Sequence, residues 1–377
     1  MARRVGLLTL PLHKNYGGIL QVAALYEYMT ASGVEVVLLE RGVRKSWKNA
    51  AAKFLARLPL DIIVGAGSRL VRNEKLYALQ NFISNHRFIW KFLPRRSGPL
   101  LDSADMRHAI DRLGLDMIIV GSDQVWRQDY LPPDALPDYF LGFAEGTRAR
   151  RVSYAASFGH GGWRYPELTA EVSTLLSRFS AVSVREASGV DICRDVLGRG
   201  DAVHVLDPTL VVDPAFYERV ADAPTTKTGK VLFEYILDHD GEAPTIGEDV
   251  ADSLWTEYSV CSVALEEGGA LPGIGGWVRA IMDADFIMTD SFHGMVFSII
   301  FQKDFVALVN HKRGADRFTS LAGLLGLEDR LLAGSSRSQA REIAARPIDY
   351  SAVSARLKLL RERSCDFLRD ALAGGEA

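Results

Sequence analysis

Residues 287–294 read Ile-Met-Thr-Asp-Ser-Phe-His-Gly, followed by an apolar stretch to Phe301 and a second apolar run over residues 305–309. This order predicts a strand, a sharp turn, a helix and a further strand. It places His293 where a parallel strand meets the N-terminus of a helix. Ligands gather at the carboxyl ends of strands in open α/β sheets, and a helix N-terminus favours anions. A histidine there can move a proton beside a negatively charged substrate, although the position also suits a histidine that only caps or packs.

The same alternation of strands and helices runs through the chain in two series. Apolar strands of the first series are expected near residues 5–10, 34–39, 116–120, 152–158, 181–184 and 202–206. Pro214, Pro224 and Gly229 then interrupt the pattern, and a second series begins at Lys230. Continuous apolar strands separated by helices indicate parallel sheets covered on both faces. The predicted fold is therefore α/β and GT-B-like, with two doubly wound Rossmann-type domains that face a cleft.

This pattern predicts that the chain is divided into three parts. Residues 1–215 are predicted to form the N-terminal domain, with a basic insertion over residues 41–96, and residues 230–348 the C-terminal domain. Residues 349–377 are predicted to contain an amphipathic helix, because apolar residues from Val353 to Ala371 recur at helical spacing. In such a cleft each domain binds one substrate. We assign the acceptor to the N-terminal domain and the donor to the C-terminal domain.

Composition narrows the class of protein. The 377 residues are 48 % apolar and 24 % charged, which is ordinary for a soluble globular chain. The three cysteines lie far apart, which fits a reducing compartment and argues against a disulfide framework or a zinc site. Neither a signal peptide nor an apolar membrane span is recognisable, so a cytoplasmic protein is expected. Dinucleotide and phosphate-loop fingerprints and a serine-hydrolase elbow are also missing from the sequence.

The segment 41–96 differs in charge from the rest of the chain. It carries thirteen Lys or Arg and two acids, a net charge of +11, whereas the whole chain has a net charge of −3 and the remainder therefore −14. Trp47, Phe54, Trp90 and Phe92 are interleaved with the basic residues. This composition suits an anionic membrane surface. A solvated helical insertion that packs on the domain is the alternative, and no motif indicates nucleic acid.

Two further stretches are candidate anion sites. Asn15-Tyr16-Gly17-Gly18 follows the first strand and opens a helix, so backbone N–H groups of the glycines can approach a ligand closely, unless the stretch is only a tight turn capped by Asn15. Arg185 ends a strand and can bind a carboxylate or phosphate through two hydrogen bonds. An ion pair with the neighbouring Glu186 is the alternative for Arg185.

A basic cluster follows the last strand of the second series. It consists of Lys312, Arg313 and Arg317, and it forms a second anion site or a solvated loop. His160 also lies beyond a strand end, although its position is a weaker candidate than that of His293. Asp283-Ala284-Asp285 matches the DxD motif of metal-dependent glycosyltransferases, but it lies between a helix and the start of a strand. No metal is therefore expected.

Six motifs in order resemble the polysaccharide pyruvyl transferase family. They span nearly the whole chain and begin at Asn15, Val120, Tyr154, Val182, Asp207 and Ser291, reading NYGGILQ, VGSDQVW, YAASFG, VSVRE, DPT and SFHG. The resemblance implies a GT-B-like fold. It also implies an enzyme that transfers pyruvate from phosphoenolpyruvate to two sugar hydroxyls, giving a cyclic ketal during bacterial surface or exopolysaccharide biosynthesis.

The resemblance also implies roles for single residues. His293 and Arg185 are the expected catalytic residues, with His293 either donating a proton or holding the phosphate. Many members of the family carry arginine where this chain has Ser291, so either Lys312, Arg313 or Arg317 supplies that charge or the donor differs. No cofactor is implied beyond phosphoenolpyruvate as co-substrate. Asp123 and His160 are the expected acceptor-binding residues, and the expected donor-binding residues are Asn15, Gly17, Gly18, Ser291, Lys312, Arg313 and Arg317.

Two other functions are compatible with the sequence. A GT-B glycosyltransferase that uses a nucleotide sugar would need a ribose-binding acid, for which Asp290 is available, and a diphosphate site near Lys312. A non-catalytic protein of a polysaccharide pathway is the second alternative, with its site altered at Ser291. For the pyruvyl transferase, the expected partners are a polyprenyl-diphosphate-linked glycan acceptor and the anionic inner face of the plasma membrane.

Overall fold

The computed structural model describes residues 3–12, 15–42, 74–132, 135–224, 229–238, 243–255, 258–264, 273–309, 314–334 and 336–374. Lys312 and Arg313 lie outside the described residues, and so do residues 43–73 of the basic insertion. Among the described residues, no helix combines the length and the apolar character that crossing a membrane requires.

The first sheet contains five parallel strands. They are β1 (Arg4–Leu8), β2 (Glu35–Arg41), β3 (Arg96–Leu100), β4 (Met117–Gly121) and β5 (Arg150–Tyr154), in the spatial order β3-β2-β1-β4-β5. The order reverses between β1 and β4, which creates a crevice at their carboxyl ends. A two-stranded parallel unit, β6 (Ser183–Val184) and β7 (Val203–His204), continues beside β5 through a bridge from Ala156 to Val184.

The second sheet repeats this architecture. Its strands are β8 (Lys230–Ile236), β9 (Tyr258–Ala264), β10 (Phe286–Thr289), β11 (Asp304–Leu308) and β12 (Leu331–Leu332), in the order β12-β11-β10-β8-β9 and all parallel. Here the order reverses between β8 and β10, and β10 is the strand that leads to His293. All four residues of β10 are buried, as expected for a central strand covered on both faces.

The helices are α1 (Tyr16–Ala31), α2 (Glu74–Phe92), α3 (Ser103–Leu113), α4 (Leu136–Tyr139), α5 (Thr169–Leu176), α6 (Ala187–Asp191), α7 (Pro208–Val211), α8 (Ala215–Val220), α9 (Ala243–Leu254), α10 (Ile274–Asp283), α11 (Phe292–Ile300), α12 (Asp316–Leu325), α13 (Arg337–Ala344) and α14 (Tyr350–Ala373). The expected strand over residues 152–158 ends early, at Tyr154. The chain turns there because Ala155 has a φ of +49°, in the left-handed region that alanine rarely adopts.

Apolar contacts join the two domains into one core. The rings of Tyr16 and Trp277 lie 6.0 Å apart, and those of Tyr217 and Phe297 lie 4.9 Å apart. Each such aromatic pair contributes about 0.5–1.5 kcal/mol beyond the area that it buries. The carboxyl ends of the two sheets therefore meet across a tightly packed interface.

Helix α14 starts beyond the second domain and returns to the first. Its Ser364 hydroxyl accepts a hydrogen bond from the Leu206 N–H at 3.0 Å, and Arg361 Nε donates to the Leu210 carbonyl at 2.7 Å. Near its C-terminus, Arg150 donates to the Ala371 carbonyl at 3.0 Å. The helix thus braces the segment from Leu206 to Leu210, which carries Asp207.

The described part of the basic insertion packs on the first domain. Helix α2 buries Ile83, Phe88 and Ile89, and the Tyr16 hydroxyl donates to Asn81 Oδ1 at 3.1 Å. Strand β3 then extends the edge of the first sheet. Trp90 remains exposed on α2.

Candidate active site

Five chain segments meet at the interface between the domains, most of them just beyond the carboxyl end of a strand. They bring together a group of buried polar side chains that we call the central cluster: Asp123, Arg185, Glu186, Asp207, His293 and Arg317. Each is 5 % exposed or less. Burial of this many ionisable groups is costly unless they compensate one another.

Asp207 is the centre of the cluster. Its Oδ2 atom lies 2.7 Å from Arg185 Nη1, 3.3 Å from the Ser122 hydroxyl and 3.6 Å from His293 Nε2. Its Oδ1 atom accepts hydrogen bonds from the Thr209 N–H and hydroxyl, at 3.0 and 2.7 Å, and so begins helix α7. One carboxylate therefore contacts both predicted catalytic residues, one from each domain.

Asp123 provides a second carboxylate between the domains. Its Oδ1 atom lies 3.3 Å from Arg185 Nη2 and 3.9 Å from Arg317 Nη1. The residue follows β4 with a φ of +65°, a left-handed conformation that aspartate tolerates better than most residues. This turn directs its side chain toward the second domain.

The charges of the cluster set the protonation of both carboxyls. Burial alone would raise the pKa of Asp123, but the charges of Arg185, His293 and Arg317 hold it below its ordinary value. Burial would likewise raise the pKa of Asp207, and interactions with His293 and Arg185 lower it far below the usual range. Both carboxyls are therefore ionised at neutral pH.

Arg185 and Arg317 flank the aromatic ring of Phe292. Their guanidinium carbons lie 5.0 and 5.1 Å from the centre of that ring. Burial and then the charge of Arg185 lower the pKa of Arg317 to about 10. For Arg185, burial also acts to lower the pKa, but Asp207 and Asp123 raise it above the ordinary value. The pKa values of the two arginines are thus shifted in opposite directions.

His293 is held between Asp207 and the start of helix α1. A β-carbon placed on Gly17 would overlap the Nδ1 and Cγ atoms of the His293 ring. Only glycine leaves room for this contact between a helix of the first domain and a helix of the second. The Nε2 atom points toward Asp207, at an ion-pair distance slightly too long for a hydrogen bond.

Asn15 and Ser291 cap the two helices that meet here. Asn15 Oδ1 accepts from the Gly18 N–H at 3.1 Å, and the Ser291 hydroxyl accepts from the Gly294 N–H at 3.3 Å. Ser291 occupies the position where the resembling family often has arginine, and the structure brings Arg317 into the cluster instead. Asp290, the candidate ribose-binding acid, accepts the N–H groups of Leu237 and Asp238 at 2.6 and 3.0 Å.

Glu186 does not form the local ion pair that the sequence left open for Arg185. Its Oε1 atom accepts from the Ser157 hydroxyl at 2.9 Å and the Phe158 N–H at 2.8 Å, which fixes the turn after β5. Burial raises the pKa of Glu186, and the charge of Arg185 opposes this rise only in part. Its other oxygen, Oε2, is buried and makes no hydrogen bond within the described part of the chain.

His160 lies outside the central cluster. Its Nε2 atom is 3.4 Å from Asp129 Oδ2, on the side of the first domain. Burial and the charge of Arg127 lower the pKa of His160, and Asp129 partly opposes this shift. In the chain as described, no group of three or more His, Cys, Asp or Glu side chains is arranged to hold a metal ion.

Sequence reasoning missed the role of two cluster residues. Asp207 was seen only as part of a motif and Glu186 only as a motif residue and an alternative partner of Arg185, although they lie three and two residues beyond the ends of short strands. Their position after a strand end was the available signal, because that edge of a parallel sheet is where ligands bind. Lys312 and Arg313, two predicted donor-binding residues, fall outside the described residues.

Comparison with solved structures tests the predicted fold. A UDP-N-acetylglucosamine 2-epimerase from Rickettsia bellii aligns over 99 % of this chain and 98 % of its own, with 9 % identity and a TM-score of 0.51. The epimerase from Neisseria meningitidis, solved with bound UDP-GlcNAc, aligns over 99 % and 100 % with 8 % identity and a TM-score of 0.51. An Arabidopsis thaliana protein complexed with UDP-L-rhamnose aligns over 99 % of each chain with 12 % identity and a TM-score of 0.50. These similarities confirm the predicted GT-B-type α/β fold, and at such identities they define the fold alone.

The family model of the polysaccharide pyruvyl transferases matches residues 15–312, which is most of the chain. The chain therefore belongs to the polysaccharide pyruvyl transferase family and is a transferase. The matched range runs from the Asn15 cap of α1 past His293, and so includes most of the central cluster. No curated protein matches the chain.

Proposed function

We propose that the protein transfers pyruvate from phosphoenolpyruvate to two hydroxyls of one sugar, forming a cyclic ketal on a bacterial surface polysaccharide or exopolysaccharide. The observation that carries this proposal is the contact of Arg185 and His293 with one carboxylate, Asp207, between the two domains. Phosphoenolpyruvate must be held by its anionic groups and protonated on carbon. Arg185 is a permanent cation that can hold an anionic group, and His293 can carry the proton.

Arg185 and Arg317 bind the two anionic groups of the donor. The guanidinium carbons of both residues lie 5.0 and 5.1 Å from the centre of the Phe292 ring. The two groups are therefore close enough to bind the carboxylate and the phosphate of one small molecule. Donor binding also compensates the buried charge of Arg317, whose pKa is lowered to about 10, first by burial and then by Arg185. Arg317 thus supplies the charge that Ser291 does not.

The reaction proceeds by protonation and two additions. His293, whose Nε2 atom lies 3.6 Å from Asp207 Oδ2, gives a proton to the methylene carbon of the donor, and C2 gains positive character. The first sugar hydroxyl attacks C2, phosphate leaves, and the second hydroxyl closes the ring. Two hydroxyl protons are released: one replaces the proton that His293 gave to carbon, and the other leaves with phosphate. No metal or cofactor enters this scheme.

The experiment is a transfer assay with the purified full chain, phosphoenolpyruvate and a panel of methyl hexopyranosides with free 4- and 6-hydroxyls. The expected product has the mass of the glycoside plus pyruvate less one water, and one phosphate is released for each ketal formed. Activity is expected to persist in EDTA. Ketal formation that stops in EDTA, or glycosyl transfer from a nucleotide sugar in a parallel reaction, would contradict the proposal.

Donor affinity tests the two arginines directly. Arg185→Ala and Arg317→Ala are each expected to weaken phosphoenolpyruvate binding by about 2–5 kcal/mol, because each removes one partner of a buried charged pair. Arg369→Ala is the control, since Arg369 lies on α14 in an exposed ion pair with Asp366 at 2.8 Å. Calorimetric affinities equal to the parent for both cluster variants would exclude these residues from the donor site.

We further propose that the basic insertion holds the enzyme at the anionic inner face of the plasma membrane, where a polyprenyl-diphosphate-linked acceptor would be reached. On α2, Trp90 and Lys91 are exposed. Arg95 and Arg96 are partly compensated, because they lie 3.7 Å from Glu35 and 3.5 Å from Glu40. Each basic residue near an anionic surface contributes about 1 kcal/mol.

Sedimentation with liposomes tests this membrane association. The parent is expected to bind vesicles that contain phosphatidylglycerol, with binding that falls as salt rises. The double variant Arg87→Glu/Lys91→Glu should bind less, whereas Arg369→Glu on α14 should behave as the parent. Equal binding to neutral and anionic vesicles, or none to either, would leave the insertion as a packed part of the domain.

A further inference from the structure

A second group of polar and aromatic side chains lies beside the central cluster, on the first domain. We call it the 127–165 patch; it consists of Arg127, Asp129, Tyr130, His160 and Tyr165. The guanidinium carbon of Arg127 lies 4.2 Å from the centre of the Tyr130 ring. Tyr130 is 42 % exposed and the Asp129 side chain is 51 % exposed, in contrast to the buried cluster.

The patch adjoins the point where the two domains meet. Arg127 Nη1 donates to Gln124 Oε1 at 2.9 Å, and Gln124 directly follows Asp123 of the cluster. The carbonyl oxygen of Gly159, the neighbour of His160, would lie 2.8 Å from a β-carbon on Gly314 of the second domain. Tyr130 is also among the groups that act on the charge of Arg317. The patch therefore lies close to the central cluster, at the contact between the two domains.

A series of aromatic contacts fixes the patch to the core. The ring of Tyr165 lies 5.4 Å from that of Trp163, which lies 6.0 Å from Phe158, which lies 5.0 Å from the buried Trp126. The Trp163 indole N–H also donates to the Thr169 hydroxyl at 2.8 Å. Side chains held in this way lose little further freedom when a ligand binds, which favours recognition.

Asp129 is the most accessible charged group of the patch. Its oxygens face Arg127 Nε, His160 Nε2 and the Tyr165 hydroxyl, each at 3.4 Å. These three distances are at the long end for hydrogen bonds, so the carboxylate is oriented without being closely bound. An ionised carboxylate with open lone pairs accepts strong hydrogen bonds from hydroxyl groups.

We propose that the 127–165 patch is the acceptor-sugar subsite. Asp129 accepts hydrogen bonds from hydroxyls of a hexopyranoside, and the exposed ring of Tyr130 packs against the apolar face of the sugar. A sugar held here presents further hydroxyls to the donor bound at Arg185 and Arg317. This inference rests on the proposed function for the identity of the reaction, but sugar binding itself can be measured without turnover.

The experiment measures the binding of methyl β-D-galactopyranoside and methyl β-D-glucopyranoside to the full chain by saturation-transfer difference NMR. The parent is expected to show saturation on the ring protons of at least one glycoside. Asp129→Asn and Tyr130→Ala should each weaken that binding about tenfold, which corresponds to about 1.4 kcal/mol. Asp366→Asn is the matched control, because Asp366 is similarly exposed at 59 % and also pairs with an arginine.

A second measurement separates this inference from the proposed function. Calorimetry with phosphoenolpyruvate alone is expected to give the parent affinity in both patch variants, because Asp129 and Tyr130 are not among the residues assigned to donor binding. Failure of the parent to bind phosphoenolpyruvate refutes the donor assignment and leaves the sugar result intact. Glycoside binding that is unchanged in both variants, or that the parent lacks, overturns the subsite. If the patch variants lose both glycoside and phosphoenolpyruvate binding and also have a lowered melting temperature, the subsite is likewise overturned.

Discussion

Replacement of Gly17 tests the position of His293 most directly. In the structure the α-carbon of Gly17 lies against the imidazole, and an added β-carbon would overlap the ring atoms Nδ1 and Cγ. The next residue, Gly18, is a matched control in the same helical turn. Its added β-carbon would meet Asn15 Nδ2 at 3.1 Å and Asp123 Oδ2 at 3.3 Å, contacts that small shifts relieve.

The magnitude follows from the difference between the two sites. Both Gly→Ala changes gain up to about 1 kcal/mol of intrinsic helix propensity, so this contribution cancels in the comparison. Only at Gly17 must a buried ring move, and overpacking of this kind costs typically about 1–3 kcal/mol. We therefore expect Gly17→Ala to be less stable than Gly18→Ala by about 1–3 kcal/mol. Displacement of His293 by about 1 Å should also lower turnover by about 10².

Urea unfolding and ketal formation are measured on both variants beside the parent. Gly18→Ala should keep most of the parent's stability and turnover. If Gly17→Ala is as stable and as active as Gly18→Ala, then α1 does not pack on His293 as the structure shows. If Gly17→Ala is destabilised but turns over normally, then His293 is not at the reacting centre.

Three further predictions concern single groups of the central cluster. His293→Gln should lower turnover by at least ~10² with an unchanged unfolding curve, and near-normal turnover would remove it from the proposed mechanism. Asp123→Asn should retain phosphoenolpyruvate binding by calorimetry but lose ketal formation. If the variant loses phosphoenolpyruvate binding instead, Asp123 belongs to the donor site and not to the acceptor step. Glu186→Gln should be more stable than the parent at neutral pH. Burial raises the folded-state pKa of Glu186 above its unfolded-state pKa. The parent therefore loses stability as the pH rises from the unfolded-state pKa through the folded-state pKa, and the Gln variant does not. The two unfolding midpoints should converge below the unfolded-state value of about 4.5, and a constant offset across pH would contradict this assignment.

The fold was predictable from the sequence because its strands are continuous apolar runs. The runs that became β1, β4 and β10 are wholly or almost wholly buried, and burial on both faces leaves that signature in the sequence. The end of β5 was not predictable in the same way. The chain leaves the sheet at Ala155 through a left-handed conformation that alanine does not normally favour, so no local residue signal marks it.

The site was predictable where a residue follows a strand, and unpredictable where partners come from different domains. His293, Arg185, Asp123 and Arg317 were all candidate site residues in the sequence, and the structure brings the four together. Asp207, the partner that Arg185 and His293 share, was not recognised as such, since pairing across 22 and 86 residues of chain depends on how the two sheets face each other. The glycine contact of Gly17 with His293 depends on the same packing. A local pattern can show that a helix begins there, but not what lies against it.

For the proposed reaction, the charge balance of the cluster favours one order of the donor and acceptor steps. Two buried arginines face two buried aspartates, so the cluster is compensated before any substrate binds. The cavity beside Arg185 and Asp207 has a volume of only about 10 Å³, room for a single water molecule. In the proposed reaction, this cavity is too small to hold phosphoenolpyruvate. The donor then replaces Asp123 as the partner of Arg317, the weaker of the two aspartate contacts at 3.9 Å. The arginine charges that hold the pKa of Asp123 below its ordinary value are then partly compensated by the donor, and Asp123 becomes a better acceptor for a sugar hydroxyl proton. Donor binding before acceptor attack is the order that this exchange favours.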